Sequence, residues 1–332
     1  SKNLKAIVIR GKQKPDYPDK KAFLTEVKEQ NAYIKKNSTA MSEFGTAGGV
    51  MGTEWYGDMP MQNWTLGSWD EAEDVSGQTI YEKYLVKHTH CYACPIGCGR
   101  KTRVEDPAFA GEGEGPEYET IYAMGSNCMI DNLAAVVKAN YLCNELGLDT
   151  ITMGATVACA MELVDRGYLS EKVVGRPLSW GDGEALVELT RMTAYRKGFG
   201  NRLAEGSYRL AESCGHPELA MVSKKQEFPG YEPRGAQAMG LAYATSPIGG
   251  SHMRGDPAYI EILGVPFQID PLTWGDKAQL IKDWQDTFAV IDAAGLCVFF
   301  SMRNLVIPDR TIRPEGIMEL LNAATGAGYT LD

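Results

Sequence analysis

Cys91, Cys94 and Cys98 stand inside eight residues, in His90-Cys91-Tyr92-Ala93-Cys94-Pro95-Ile96-Gly97-Cys98-Gly99-Arg100. Three thiols at that spacing let one loop wrap a metal centre. Pro95 restricts its backbone, and Gly97 and Gly99 permit the close approach that sulfur ligands need. Three thiolates leave one corner of a cubane [4Fe-4S] cluster open, so this reading predicts a fourth cysteine elsewhere in the chain. Tetrahedral zinc is the rival, although zinc sites more often pair two Cys-x2-4-Cys units, or a Cys pair with a His pair. Buried thiols without a ligand role are the plainest alternative.

The elements that must carry such a loop read as mostly helical. Asp131 can cap a helix whose Leu133, Val136, Val137, Asn140, Tyr141 and Leu146 recur at helical spacing and which stops at Gly147. A second helix is predicted over about 155–167. Asp182 opens a third, through Leu186, Leu189 and Met192 to Gly198, and Leu203 to Cys214 reads as a fourth. Asp276 begins a long fifth helix through Leu280, Ile281, Trp284, Phe288 and Ile291, with Gly295 near its end. Residues 15–37 look like a polar surface connection with a short helical pattern, and the glycine run Gly45 to Gly52 like a flexible loop or a ligand-lining backbone. It lacks the endings of a phosphate loop or a dinucleotide turn. Strand patterns are sparse. The fold class predicted is therefore mainly α, in two multi-helical lobes that share a site.

The run Leu4-Lys5-Ala6-Ile7-Val8-Ile9-Arg10-Gly11 is strand-like, begins without methionine, and needs partner strands that little in the following hundred residues offers. The expectation is that residues 1–12 are the remnant of a preceding β domain. Residues 13–215 are then a helical domain with the cysteine loop, and 216–332 a second helical domain.

A formal charge of −10 argues against a nucleic-acid surface. No window is apolar enough for a membrane span and no signal-peptide pattern opens the chain. Eight cysteines without a secretory signal point to a reducing compartment and a metal centre before disulfides, so the cytoplasm is the default expectation.

Two helix ends carry nearly the same letters, Asn144-Glu145-Leu146-Gly147-Leu148-Asp149 and Asp292-Ala293-Ala294-Gly295-Leu296-Cys297. A helix ending at glycine turns its last carbonyls and the next amide outward in a fixed geometry. Used twice, it could grip two copies of one ligand. Taken singly, each is an ordinary helix stop; Cys297, where the loop needs its fourth thiolate, lifts the second above that.

With these motifs, with Gly115-Pro116-Glu117-Tyr118-Glu119, with Tyr231-Glu232-Pro233-Arg234-Gly235 and with Ser246-Pro247-Ile248-Gly249-Gly250-Ser251-His252-Met253-Arg254, the chain resembles the tungsten-containing aldehyde ferredoxin oxidoreductases. The resemblance covers essentially all of it. It implies tungsten, or molybdenum, held by two pyranopterins, and a [4Fe-4S] cluster on Cys91, Cys94, Cys98 and Cys297. It implies that Asn144, Leu148 and Asp149 bind one pterin and Asp292, Leu296 and Cys297 the other, Cys297 also linking pterin to cluster. Asn144 departs from the acidic residue often found there. The resemblance further implies an aldehyde substrate, ferredoxin or another iron–sulfur protein as electron acceptor, and a missing N-terminal β domain.

Within that frame Glu119 is the expected acid/base, since oxidising an aldehyde to a carboxylate requires proton removal, which a carboxylate with a burial-raised pKa suits. Glu117 is its rival, and on a strand both would face one side. His252 and Tyr231 would donate hydrogen bonds to the substrate oxygen. His88 and His90 are read as surface or supporting residues. Cys128 is expected to be core, or else to approach the metal as in related enzymes that reduce an aromatic acyl-thioester; Cys143, Cys159 and Cys214 are expected in the core. Some family members bridge two subunits through a metal held by Glu and His. Here the matching helix carries Lys138, so other homo-oligomers are the ones left open. Two alternatives to aldehyde oxidation stand beside it, reduction of an aromatic acyl-CoA and an electron-transfer module without pterin.

Overall fold

The computed structural model describes residues 6–262, 264, 267–275, 277–305 and 315–330. The chain is mainly helical, as its periodicity predicts. Residues 6–11 form no strand, and Ile7, Val8 and Ile9 are exposed; residues 1–5 lie outside the described residues.

Asp19 caps α1 (Lys20–Lys36), a full helix packed on the last helix rather than the polar connection expected from its composition. The glycine-rich stretch is not a loop either. After α2 (Thr39–Phe44) it makes a 3-10 turn over Thr46–Gly49 and then α3 (Val50–Trp55), with Ala47 and Val50 buried. Its small residues allow close packing: a Cβ on Gly77, at the start of α4 (Gly77–Tyr84), would meet Ala47 backbone carbon at 2.5 Å.

The cysteine loop joins two strands of a small antiparallel sheet, β1 (Leu85–Thr89), β2 (Gly99–Val104) and β3 (Gly111–Glu114), in the order β1-β2-β3. α5 (Tyr118–Met124) comes directly after β3 and a short turn. This corrects the strand expected around Glu117 and Glu119: Glu117 is the cap of α5 and Glu119 lies in its first turn, so the two side chains diverge.

α6 (Leu133–Leu146) is capped by Asn132, not Asp131, through its side-chain oxygen on the Ala135 amide. α7 (Thr150–Asp165) starts five residues earlier than its apolar pattern suggests because Asp149 caps it. The short α8 (Glu171–Val174) precedes α9 (Gly183–Ala194), which is capped by Asp182 as predicted. The predicted fourth helix, Leu203 to Cys214, is found only over its later part, as α11 (Ser207–Ser213); Leu203 instead ends a short helix α10 (Gly200–Leu203), and Gly206, with φ +85°, parts the two. α5 packs on α7, α6 on α9 and α7 on α11, around a core that includes Val136, Val157, Leu163, Leu186 and Leu210.

A two-residue hairpin, β4 (Val222–Ser223) and β5 (Gln226–Glu227), leads to α12 (Gln237–Thr245) and α13 (Ala258–Glu261). The long helix α14 (Lys277–Ala293) buries Ile281, Trp284, Phe288 and Ile291, the predicted face, and packs on α12; its expected cap Asp276 lies outside the described residues. α15 (Val298–Leu305) and α16 (Glu315–Thr325) complete the described chain.

Candidate active site

α5 and the segment 228–232 hold each other across the site. The Gly230 amide donates to Glu119 Oε2 at 2.9 Å, and Tyr118 hydroxyl donates to the Gly230 carbonyl at 2.5 Å. Tyr243 hydroxyl, on α12, donates to the Tyr231 carbonyl at 3.0 Å, with its ring stacked on Phe228 at 4.7 Å. Bonds of this kind satisfy the main chain of an irregular segment and fix where its side chains project.

Glu119, His252 and Tyr231 come together. His252 sits in a short 3-10 turn opened by Ser251, and its Nδ1 stands 3.8 Å from Glu119 Oε1. The Tyr231 and His252 rings lie 5.8 Å apart, and Tyr118 backs Tyr231 at 5.5 Å. The Glu119 side chain is 14% exposed, and its Oε1 is buried with no hydrogen-bond partner.

Burial pushes the Glu119 carboxyl up to about 8; the Gly230 amide opposes this, while Asp256, Asp149 and Asp58 add repulsion. Burial pushes the His252 imidazole down to about 4, against a pull from Asp149. Near neutral pH the pair is therefore a protonated carboxyl beside a neutral imidazole, not an ion pair. Both groups can donate and accept hydrogen bonds, which suits a carbonyl substrate better than a fixed charge pair would.

The two glycine-ended turns repeat in three dimensions. Gly147 has φ +72° and Gly295 φ +69°; the Leu148 amide reaches the Cys143 carbonyl at 2.9 Å, and the Leu296 amide the Ile291 carbonyl at 3.1 Å. Each is the same helix stop closed five residues back. Each leads straight into another helix. Asp149 caps α7 through Oδ2 on the Thr152 amide at 2.7 Å, and the Cys297 carbonyl accepts from the Ser301 amide in α15 at 2.9 Å. Asn144, Asp149, Asp292 and Cys297 are exposed, while Leu148 and Leu296 are half-buried against neighbouring cores. Asp292 pairs with Arg254, two residues from His252, and so ties the second turn to the site.

Cys91 is exposed and Cys94 and Cys98 are half-buried, with φ +55° at Ala93 and +68° at Gly97 bending the loop between them. Burial pushes the Cys98 thiol up to about 11, and the fields of Glu117, Cys297 and Cys94 add to it. Cys297 thus lies in the electrostatic neighbourhood of the loop. Among the described residues no three His, Cys, Asp or Glu side chains converge tightly enough to hold a single ion. A multi-iron cluster spaces its cysteine sulfurs more widely than one ion does, and four thiols on a glycine-bent loop and a facing helix start fit it in donor type and number. For the pterins the fit rests on the two repeated turns with their exposed polar side chains.

Sequence reasoning does not single out Arg100. It is fully buried, with Nη2 on Glu117 Oε1 at 2.7 Å and on the Pro116 carbonyl at 3.1 Å, and Nη1 on the Phe44 carbonyl. It joins the cysteine loop to the start of α5. Glu117, engaged by Arg100 and by Thr46, is therefore a support, and Glu119 is the carboxyl left for chemistry. Cys128 is fully buried, with Sγ 3.4 Å from the Ala123 carbonyl and 3.5 Å from that of Gly154. Cys143 and Cys159 are likewise buried and Cys214 is half-buried. His88 and His90 are exposed, and Lys138 reaches the Ala110 carbonyl at 2.6 Å.

The description "Aldehyde ferredoxin oxidoreductase, domains 2 & 3" matches residues 25–332. Tungsten-containing aldehyde ferredoxin oxidoreductases of Pyrococcus furiosus and Thermococcus kodakarensis are 42% and 41% identical over the whole chain, which covers 54% of each. The chain spans about half the length of these curated relatives. The WOR-like subunit of the aliphatic sulfonate oxidoreductase of Pyrococcus furiosus is 32% identical over 64% of the chain. Among solved structures, the active site complex BamBC of benzoyl coenzyme A reductase superposes with a TM-score of 0.71 over 96% of this chain and 55% of its own, at 18% identity, which speaks for the fold alone. On the match to its second and third domains and on this identity, the chain belongs to the aldehyde ferredoxin oxidoreductase family.

Proposed function

We propose that the protein oxidises an aldehyde to a carboxylic acid, using tungsten or molybdenum on two pyranopterins and a [4Fe-4S] cluster, with ferredoxin as electron acceptor. The observation that carries this reading is the convergence of Glu119, His252 and Tyr231, from three separate segments, around a buried carboxyl that keeps its proton near neutral pH. When bound, the metal and its pterins would take up the two electrons of the oxidation and the cluster would pass them on singly. Asn144, Leu148 and Asp149 would hold one pterin and Asp292, Leu296 and Cys297 the other. Cys91, Cys94, Cys98 and Cys297 would hold the cluster.

The residues of the chain do the rest. Neutral His252 and Tyr231 present hydrogen bonds to the aldehyde oxygen and orient the carbonyl carbon toward water. Glu119 accepts a proton from that water, which requires its ionised form, so turnover rises with pH toward about 8. The two helical lobes, taken as 13–215 and 216–332, would meet at the site through the bonds between Gly230 and α5. Residues 1–12 would belong to a preceding β domain that completes the enclosure, and self-association is compatible with this assembly.

Reduction of an aromatic acyl-CoA draws no support from Cys128, whose thiol faces two main-chain carbonyls in the core. No described helix is long and apolar enough to cross a membrane. The test is anaerobic purification of the full-length protein, with metal and pterin analysis and aldehyde-dependent ferredoxin reduction, alongside Glu119→Gln. The expected result is turnover in the wild type and a loss of about 10²–10⁴-fold in kcat in the variant. Iron without tungsten, molybdenum or pterin would leave the electron-transfer module instead.

A further inference from the structure

Arg100, two residues beyond Cys98, is fully buried, and a guanidinium stays charged at any working pH. Its hydrogen bonds reach in two directions. Nη1 donates to the Phe44 carbonyl at the end of α2; Nη2 donates to the Pro116 carbonyl at 3.1 Å and to Glu117 Oε1 at 2.7 Å, just before α5. The Arg100 carbonyl accepts from the Gly115 amide at 2.6 Å. Glu117 is held a second time, by the Thr46 hydroxyl on Oε2, and Thr46 Oγ1 accepts from the Tyr118 amide at 2.9 Å. Gly45 lies between the guanidinium and the cysteine loop: a Cβ there would meet Arg100 Cζ at 2.5 Å and the Cys98 carbonyl at 2.8 Å. A single glycine therefore separates the buried charge from the backbone of the loop.

Packing alone does not ask for this charge. A neutral amide side chain could serve the same carbonyls, whereas burying a guanidinium is costly, and here its Nε–H has no partner. The other charges on the flanking strands are more open to water. Lys87 on β1 and Glu112 and Glu114 on β3 are exposed, and Lys101 on β2 is paired with Glu112. Water screens such charges, and screens a fully buried one far less.

We propose that Arg100 and Glu117 are a positioning pair that sets how strongly the [4Fe-4S] cluster holds its electron: Arg100 fixes Glu117 beside the loop and offsets its charge. The inference rests on the assignment of that cluster to Cys91, Cys94, Cys98 and Cys297. Uptake of one electron within the four thiolates makes and breaks no bond and adds one unit of negative charge. A negative neighbour opposes that uptake and a positive one favours it. Glu117, whose side chain is 43% exposed, still reaches the Cys98 thiol with its field. Arg100 opposes it from the buried side, at the 2.7 Å contact. The electron arrives from the aldehyde oxidation and leaves to the iron–sulfur acceptor, so the balance between these two charges governs how readily it moves on.

The deciding measurement is the reduction potential of the cluster in the full-length protein, purified anaerobically and titrated with redox dyes while electron paramagnetic resonance follows the reduced cluster; no turnover is needed. Glu117→Gln should raise the potential and Arg100→Gln should lower it, each by about tenfold in the reduction equilibrium, or about 59 mV for one electron. The opposite signs carry the test, since mere damage to the loop would move both variants the same way. Arg100→Lys keeps the charge but not the planar fork, and should lie closer to the wild type than Arg100→Gln. Should Arg100→Gln fail to assemble the cluster, Glu117→Gln decides, and a potential at or below that of the wild type overturns the proposal. Unmoved potentials, or shifts of one sign in both variants, overturn it too. A wild type that carries no iron–sulfur cluster overturns the cluster assignment itself, so the two failures are told apart.

Discussion

Replacing Glu119 with glutamine should change the sign of its effect on stability with pH. In the native protein the carboxyl titrates at about 8, against an ordinary 4.5. The folded state binds this proton more tightly than the unfolded chain does, so its contribution is fully present below about 4.5 and is lost as pH rises through about 8. The gap is roughly three and a half pH units at about 1.36 kcal/mol each, or about 5 kcal/mol lost across the window. Glutamine has no such slope. Its carbonyl can still accept from the Gly230 amide, but its amide nitrogen takes the place of the unpartnered Oε1 and costs about 1–3 kcal/mol at every pH. The variant should therefore be less stable than the wild type near pH 4.5 and more stable, by about 2–4 kcal/mol, above pH 8. Thermal or urea unfolding of both proteins across this range measures the crossing. Stability curves that run parallel from 4.5 to 8 would show that Glu119 ionises normally, and the acid/base role built on its burial would go with them.

Cys98→Ser and Cys297→Ser should each lower the iron bound per chain in anaerobic preparations, whereas Cys128→Ala should keep it; equal iron in all three would detach these thiols from the cluster. Gly154→Ala would drive a Cβ into the Ala123 main chain, forcing α7 off α5. It should cost about 1–3 kcal/mol in urea unfolding, and a neutral result would mean that the α5–α7 seam is looser than its geometry implies.

The cysteine loop is legible in the sequence because ligand spacing is local, and the glycine stops because a left-handed residue ends a helix wherever it stands. Helix starts are less legible: Asn132 and Asp149 act as caps, yet the apolar periodicity that reveals a helix begins a turn or more inside it. The glycine run reads as a loop because its helicity comes from packing against α4 and α5, not from propensity. A strand is expected at Glu117 and Glu119 for a related reason, since Gly115 and Pro116 signal a turn but do not specify the helix beyond it. Asp58 and Asp256 give no sequence signal at all. An acidic residue beside glycine or proline reads as an exposed turn, and only contacts with distant residues bury these two. Arg100 is hidden in the same way.

The bond between Glu119 and Gly230 spans 111 residues and that between Asp58 and Glu232 spans 174. Loop-closure entropy makes such pairings late events on the folding pathway. The sheet that flanks the cysteine loop closes over a few tens of residues, so three thiols are presented early, while the fourth, Cys297, emerges from the ribosome much later. The nascent chain therefore passes through a stage in which the loop is formed but the carboxyl site is still open to solvent. In that interval large groups could reach Glu119 before Gly230, which lies 111 residues further along the chain, is in place to hold it.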